Sequence, residues 1–223
     1  AFDLCQRVTA ASGWLDRSAG ATPHTDAGAR TLGYELAEQT TAVPDWVVVP
    51  MGNGGTIASA WRGLETFADL DFVAETPHML GVQSAGTSPI HDALTDGENS
   101  DGETCADSID VGTPHRLDAA QAAIEESGGA SVAVPEPAIR EATARLGATE
   151  GVFVEPASAA AIAGIEQARE SGLVDSGDRV VAVMTGTGLK DTATAREIVG
   201  GSETVEASVD PADIVGRYSS GSD

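Results

Sequence analysis

The sequence has few basic residues, few cysteines and no long apolar run. Lys and Arg together number 12 against 35 Asp and Glu, so the formal net charge is -23 at pH 7. Such a chain cannot bind nucleic acid by releasing counterions from phosphates. No stretch approaches the about 20 consecutive apolar residues of a membrane span, and no signal-peptide pattern opens the chain. We therefore expect a cytoplasmic protein with neither nucleic-acid nor membrane partners.

The cysteine content excludes several classes of small protein. Cys5 and Cys105 are the only two cysteines, which is too few for a disulfide scaffold, and they lack the close spacing of zinc or redox motifs. Hydrophobic residues nevertheless make up 41% of the 223 residues, which is enough to bury a core. The composition therefore predicts a globular protein of one domain or slightly more.

Apolar runs alternate with helical patterns along the chain. The apolar runs cover residues 46–49, 79–83, 131–134 and 180–184. The helical patterns cover residues 1–13, 27–39, 57–64, 139–146, where Gly147 closes the helix, and 157–168. This alternation, with near-continuous apolar strands, predicts an α/β fold with an open, mostly parallel, twisted sheet and helices on both faces.

The two ends of the chain differ from its middle. Residues 1–13 form an apolar helical face without upstream partner elements, so we expect a C-terminal fragment. Residues 1–40 are then the remnant of a smaller N-terminal domain and its crossover, 41–200 the ligand-binding α/β domain, and 201–223 a polar tail with a short helix after Pro211.

An acidic, glycine-containing segment interrupts the pattern at residues 96–107 and predicts an exposed loop. Its sequence DGENSDGET superficially suggests calcium binding. The glycine stands one place late for an EF-hand loop and the closing glutamate is missing, so we expect no metal there.

The sequence GNGGT at residues 52–56 follows an apolar strand and leads into a helix. Glycines let the backbone turn sharply and present its N–H groups, and the helix N-terminus adds positive potential. The loop lacks the Gly-Lys-Ser/Thr of a Walker sequence and the third glycine of a dinucleotide fingerprint. It therefore predicts a cradle for a phosphate-bearing ligand that is not a nucleotide, the alternative being a turn with only a packing role.

Two further segments accompany this loop. MTGTGLKD, residues 184–191, follows the last apolar run, so Thr185 and Gly186 lie at the sheet edge where ligands bind in open parallel sheets. GVFVEPASAAA, residues 151–161, places Glu155 just before a helix of small residues. A glutamate at a helix start also favours the helix dipole, so a purely structural role remains open for Glu155.

Taken together, five ordered segments resemble the threonine synthase family of pyridoxal-phosphate enzymes, within the tryptophan-synthase-like fold type (fold type II). The resemblance runs from about residue 1 to residue 199. It is carried by VVVPMGNGGTIASAWRG, MLGVQSAGTSPI, ADSIDVGTP, GVFVEPASAAAIAG and VVAVMTGTGLKD, in that order.

The resemblance implies that this is a pyridoxal-phosphate-binding domain and implies a role for each matched residue. Thr185 contacts the pyridine nitrogen, and Glu155 lies near the cofactor ring. The loop that holds the cofactor phosphate is formed by Gly52, Asn53, Gly54, Gly55 and Thr56. A hydroxyl, unlike a carboxylate, does not hold the pyridine nitrogen protonated, which steers the cofactor towards replacement or elimination chemistry. The full-length family commonly forms homodimers.

The family's Schiff-base lysine has no counterpart in the sequence. It belongs to a stretch upstream of these residues, so we expect this chain alone to contain no catalytic residue and to be inactive. Lys190, the only lysine, occupies the lysine of the TGxGLKD pattern, where we expect it to pair with a nearby carboxylate.

The substrate implied by the resemblance is O-phosphohomoserine, a small amino-acid derivative that a lyase of this family converts with water to threonine and phosphate. Many members hold the substrate phosphate with an arginine where this sequence, TPHTDAGARTLGYEL, has Thr25. Arg17 and Arg30 are the basic residues nearby. A cysteate-synthase-like enzyme, an amino-acid ammonia-lyase or a non-catalytic phosphate-binding module therefore remains open.

The sequence does not identify any of the four histidines as a general acid or base. They are His24, His78, His91 and His115, and only His24 lies in a segment matched to the family. We expect them on the surface or in loops.

The acid excess predicts that stability rises with salt. At molar salt the Debye length falls to about 3 Å, which screens repulsion among the carboxylates. We predict a halophilic protein whose melting temperature is higher in molar KCl than in dilute buffer, as measured by thermal unfolding over a KCl series. A chain at least as stable in dilute buffer is instead an ordinary acidic protein, and that result contradicts the prediction.

Overall fold

A computed structural model describes residues 2–18, 22–97, 100, 102–200, 209–212 and 215. Parallel strands form its centre in the order β3-β2-β1-β4: β1 (Trp46–Pro50), β2 (His78–Ser84), β3 (Ala130–Val134) and β4 (Val180–Ala182). Trp46 of β1 stands opposite His78 on one side and Val180 on the other. The predicted open parallel sheet is confirmed.

Helices precede, connect and follow the strands. They are α1 (Phe2–Ser12), α2 (Pro23–Ala29), α3 (Thr31–Gln39), α4 (Gly55–Asp69), α5 (Pro89–Thr95), α6 (Leu117–Glu126), α7 (Glu136–Thr149), α8 (Pro156–Glu170) and α9 (Thr192–Val199), with 3-10 turns at Asp107–Ile109 and Gly188–Lys190. Within the described ranges, no helix is both long and apolar enough to cross a membrane.

Strand β1 is buried on both faces and separates two cores. Successive strand residues point to opposite faces of a sheet. Val47 and Val49 accordingly pack with residues of α4 and α6, whereas Val48 packs with residues of α7 and α8. All three valines are 0% exposed. Helices therefore cover both faces, as the apolar strands predict.

Two predicted helix boundaries are wrong. The pattern at residues 27–39 is broken at Arg30, because the amide of Gly33 bonds to the Arg30 carbonyl three residues back and divides α2 from α3. Gly147 does not end its helix: α7 continues to Thr149. The left-handed residue after that helix is Gly151, with φ of 65°, and this conformation is the one that a terminating glycine supplies.

The last predicted strand is also too long. It was expected to reach Met184, but β4 ends at Ala182. The amide of Val183 still donates to the Val48 carbonyl at 2.9 Å. Beyond it the chain leaves the sheet, because the Ser158 hydroxyl accepts a hydrogen bond from the amide of Gly186 at 2.7 Å.

The acidic segment 96–107 is only partly the exposed loop that was predicted. Its end is fixed to the domain, since the Cys105 amide donates to Glu136 Oε1 at 3.0 Å and Ala106 is fully buried. Over the part of the chain that the structure describes, no group of acidic, histidine or cysteine side chains is arranged to hold a metal.

Most of the predicted polar tail lies outside the described residues, although Pro211 and Ala212 are helical. The domain divisions at residues 40 and 200 stay predictions.

Helices α3 and α4 cross in close backbone contact through two glycines. A Cβ atom at Gly63 would lie 2.3 Å from the Arg30 carbonyl oxygen, and one at Gly33 would lie 2.3 Å from the Ala60 carbonyl oxygen. Both obstructing atoms belong to the backbone, so neither can rotate away. The crossing positions Arg30 and α2 against α4.

We predict that Gly63→Ala destabilises the fold by about 1–3 kcal/mol, because the helices must move apart to admit a methyl group. The matched control is Gly147→Ala, also inside a helix, where an added Cβ meets nothing within 4 Å. That control should instead gain about 0.4–1 kcal/mol from reduced freedom of the unfolded chain. Urea unfolding measures both, and equal effects of the two substitutions would refute the close crossing.

Candidate functional site

The glycine loop connects β1 to α4 at the carboxyl edge of the sheet. Gly54 has φ of 82°, a left-handed conformation that L side chains rarely adopt, and a Cβ there would lie 2.9 Å from the Arg116 carbonyl oxygen. A Cβ at Gly52 would lie 2.9 Å from the Ser108 carbonyl oxygen. Gly55 differs, because a Cβ there meets nothing within 4 Å. The loop thus packs tightly on its outer side and is open at the start of α4.

The open side of the loop faces a cavity of about 310 Å³. Its lining residues come from segments far apart in the sequence: Thr25, Asp26, Ala29, Pro50, Gly52, Asn53, Gly54, Gly55, Thr56, Ser59, Ser108, Ile109, Glu155, Thr185 and Lys190. Every residue that the sequence analysis assigned to the cofactor therefore lies on one cavity wall or another. We refer to this space as the central cavity.

Ser158, which the sequence analysis missed, holds Thr185 at the edge of the central cavity. The Ser158 hydroxyl lies 3.1 Å from the Thr185 hydroxyl and 2.7 Å from the Gly186 amide, which donates to it. Ser158 is fully buried in the first turn of α8. A serine among alanines at a helix start was the available signal, but that helix appeared to serve packing alone.

Glu155 is a buried carboxylate with two polar partners. It is 5% exposed. Its Oε2 atom lies 2.8 Å from Lys190 Nζ and accepts a hydrogen bond from Ser108 Oγ at 3.0 Å. Lys190 Nζ also donates to Ser108 Oγ at 3.2 Å. The only lysine of the chain thus pairs with a carboxylate, as predicted, and neutralises a charge that is costly to bury alone.

Gly186 lies close beside this carboxylate. A Cβ at Gly186 would lie 2.2 Å from Glu155 Oε1, and the Gly186 carbonyl accepts a hydrogen bond from the Glu155 amide at 3.2 Å. The backbone after β4 is therefore fixed directly against the start of α8. Thr185 and Glu155 lie side by side because of this contact.

None of the four histidines lines the central cavity. His24, His78 and His115 are exposed, as predicted. The prediction is wrong for His91, which is half-buried on α5 with Nδ1 2.9 Å from Ser131 Oγ. Burial lowers the pKa of His91 below its ordinary value.

The basic residues near Thr25 take different positions. Thr25 lines the central cavity, and its hydroxyl lies 3.0 Å from that of Thr22. Arg17 is exposed and does not line the cavity, whereas Arg30 lines a neighbouring groove. Cys105 is not a candidate nucleophile. Burial and the adjacent Glu136 raise the pKa of its thiol to about 12, so it carries little thiolate at neutral pH.

The fold and cavity define a class of α/β proteins in which a glycine turn and a helix N-terminus face a ligand space beyond the strands. The family model described as pyridoxal-phosphate dependent enzyme matches residues 1–186. The chain belongs to this family, whose members depend on pyridoxal phosphate, and within it the chain is similar to threonine synthases.

Two curated relatives show that similarity. The threonine synthase of Methanocaldococcus jannaschii is 39% identical over 170 residues, which are 74% of this chain and 42% of that enzyme. The threonine synthase of Methanosarcina acetivorans is 35% identical over 194 residues, 84% of this chain and 48% of that enzyme. The chain thus spans less than half the length of these relatives.

Among solved structures, the processed form of threonine deaminase isoform 2 from Solanum lycopersicum has a TM-score of 0.69 and 20% identity, with 86% of this chain and 51% of that chain covered. At this identity the likeness shows the fold alone.

Proposed function

We propose that the central cavity holds pyridoxal phosphate with its phosphate on the backbone amides of residues 52–56. Three observations support this. The amides lie at the N-terminus of the 15-residue helix α4, where anions are stabilised, and the space above Gly55 is open. A volume of about 310 Å³ also suits a small cofactor.

Thr185, which lines the same cavity, would then contact the pyridine nitrogen. Its hydroxyl is oriented by Ser158, so it offers the ring a fixed hydrogen-bonding group without a negative charge. Glu155 lies beside it, and Lys190 and Ser108 hold its Oε2 atom. Lys190 and Ser108 thus hold the Glu155 carboxylate in place, and Lys190 offsets its charge.

The reaction that we propose for the whole enzyme is conversion of O-phosphohomoserine and water to threonine and phosphate. When bound, the cofactor supplies an electron sink for carbanions formed next to the substrate amino group. The residues of this chain bind and orient: the loop amides fix the phosphate, and Thr185 fixes the ring edge. Support for this substrate comes from the relatives named threonine synthase.

The single observation that carries the proposal is that the glycine loop and Thr185 line the same cavity although they are far apart in the sequence. A loop with only a packing role would not require an open space at Gly55. The tight outer contacts and the open inner side together favour a bound phosphate.

We predict that Gly55→Ala folds normally but weakens the binding of pyridoxal phosphate about tenfold or more. The added methyl group meets no protein atom, yet it projects into the space assigned to the phosphate, and overpacking of this kind costs about 1–3 kcal/mol. Equilibrium dialysis measures the affinity, and Gly147→Ala is the control. Unchanged affinity in the Gly55 variant would contradict the assignment of the cofactor phosphate to this loop.

A second prediction concerns the reaction. The enzyme expressed from its complete gene should release one phosphate per threonine from O-phosphohomoserine, as measured by phosphate release and amino-acid analysis. Serine, threonine and O-phosphoserine serve as competing substrates. Turnover of one of these in preference to O-phosphohomoserine would assign a sister elimination or replacement activity to the same scaffold.

A further inference from the structure

The hydroxyl of Ser158 meets three groups of the segment that follows β4. It lies 2.7 Å from the Gly186 amide nitrogen, 3.2 Å from the Gly186 carbonyl oxygen and 3.1 Å from the Thr185 hydroxyl. Ser158 is 0% exposed and does not line the central cavity. A serine hydroxyl has one proton to donate and two lone pairs with which to accept. Its three contacts are therefore linked, because the direction of one restricts the others.

The Gly186 amide fixes the first direction. A backbone N–H group can only donate, so the Ser158 oxygen accepts from it. A hydroxyl that accepts a hydrogen bond is polarised and becomes a stronger donor itself. The single proton of Ser158 is then left for either the Gly186 carbonyl or the Thr185 hydroxyl.

The Gly186 carbonyl has the smaller need for this proton. It already accepts a hydrogen bond from the Glu155 amide at 3.2 Å. The Thr185 hydroxyl, in contrast, has Ser158 as its one hydrogen-bond partner among the residues that the structure describes. A proton given to Thr185 leaves each of the two oxygen atoms with one donor, whereas a proton given to the carbonyl leaves Thr185 with none.

The direction of the bond between the two hydroxyls decides what Thr185 offers to the central cavity, which it lines. When Thr185 accepts from Ser158, its own proton is free to point into the cavity, so the hydroxyl donates there. When Thr185 donates to Ser158, only its lone pairs face the cavity. The first arrangement suits a ligand atom with a lone pair, and the second suits a protonated one.

The charges on the cavity wall favour the first arrangement. An unpaired carboxylate would favour a protonated ligand atom beside it. The charged residues on this wall are Asp26, Glu155 and Lys190. Asp26 bonds to Arg116, and Glu155 Oε2 lies 2.8 Å from Lys190 Nζ, so each carboxylate has a cationic partner.

We propose that Ser158 is a positioning residue that makes Thr185 a hydrogen-bond donor towards the central cavity. The bonds run from the Gly186 amide to Ser158, from Ser158 to Thr185, and from Thr185 to an acceptor on the ligand. The acceptor is the pyridine nitrogen of pyridoxal phosphate, and in this respect the proposal rests on the proposed function. It adds that a buried serine outside the cavity keeps that nitrogen unprotonated.

The test uses the enzyme expressed from its complete gene and loaded with pyridoxal phosphate that is isotopically labelled at the pyridine nitrogen. The NMR chemical shift of that nitrogen reports its protonation and is followed from neutral to mildly acidic pH. In the unsubstituted enzyme the nitrogen should be unprotonated at neutral pH. Ser158→Ala should raise the pKa of the nitrogen by about one unit, because a hydrogen bond to the neutral form is weakened.

Ser127→Ala is the matched control. Ser127 is 9% exposed, and its hydroxyl accepts from the Met79 amide at 3.1 Å and donates to the Ile124 carbonyl at 2.9 Å. Both variants thus lose a buried hydroxyl that bonds to a backbone amide, so urea unfolding should show similar losses of stability. Only Ser158→Ala should change the titration of the pyridine nitrogen. Ser158→Cys, which keeps a weaker donor, should give an intermediate pKa.

Equal pKa values of the pyridine nitrogen in the unsubstituted enzyme and in Ser158→Ala would overturn the role of Ser158. The same change in Ser127→Ala would also overturn it, because the effect would then be a general loss of stability. A nitrogen that is protonated at neutral pH in the unsubstituted enzyme contradicts it as well, since Thr185 would then accept.

Thr185→Val separates this proposal from the proposed function, because it removes the hydroxyl with little change in volume. If Thr185→Val changes the pKa of the nitrogen and Ser158→Ala does not, the role of Ser158 fails and the cofactor assignment stands. If Thr185→Val leaves the pKa unchanged, Thr185 does not contact the ring nitrogen, and both proposals fail.

Discussion

The backbone turn between β1 and α4 is the constraint on which the central cavity depends. Side chains are excluded on its outer side, where Gly52 and Gly54 approach the backbone at Ser108 and Arg116. These contacts join the loop to the 3-10 turn at Asp107–Ile109 and to the start of α6. The amides at the beginning of α4 are therefore held in place before any ligand arrives, which reduces the ordering cost of binding.

Charge neutralisation is the second requirement, because the chain carries a net charge of -23. Both carboxylates on the wall of the central cavity have a cationic partner: Asp26 bonds to Arg116, and Glu155 bonds to Lys190. A phosphate dianion entering an unpaired acidic site would be repelled. Two of the scarce basic residues, Arg116 and Lys190, thus neutralise the carboxylates on this wall.

Much of the fold was predictable from local patterns. The β1 valines are apolar on both faces because two layers of helices cover them, and the glycine loop follows the strand with a recognisable spacing. Gly147 misled the boundary prediction because a glycine in a helix is not a terminator unless it adopts positive φ, which is a property of the folded backbone.

The contacts within the site were harder to predict from the sequence, because they join distant segments. Ser158 and Thr185 are 27 residues apart, Ser108 and Glu155 are 47 apart, and Asp26 and Arg116 are 90 apart. No periodic pattern records such pairs. The five ordered segments predicted which pieces belong to the site, whereas the contacts between those pieces depend on how the helices pack around the sheet.

The most direct measurement of the central claim is a crystal structure of the complete enzyme grown with pyridoxal phosphate. The account predicts the cofactor phosphate within hydrogen-bonding distance of the amides of residues 52–56, with the pyridine nitrogen against the Thr185 hydroxyl. A cofactor whose phosphate lies away from this loop, or whose ring nitrogen faces another wall of the central cavity, would contradict it.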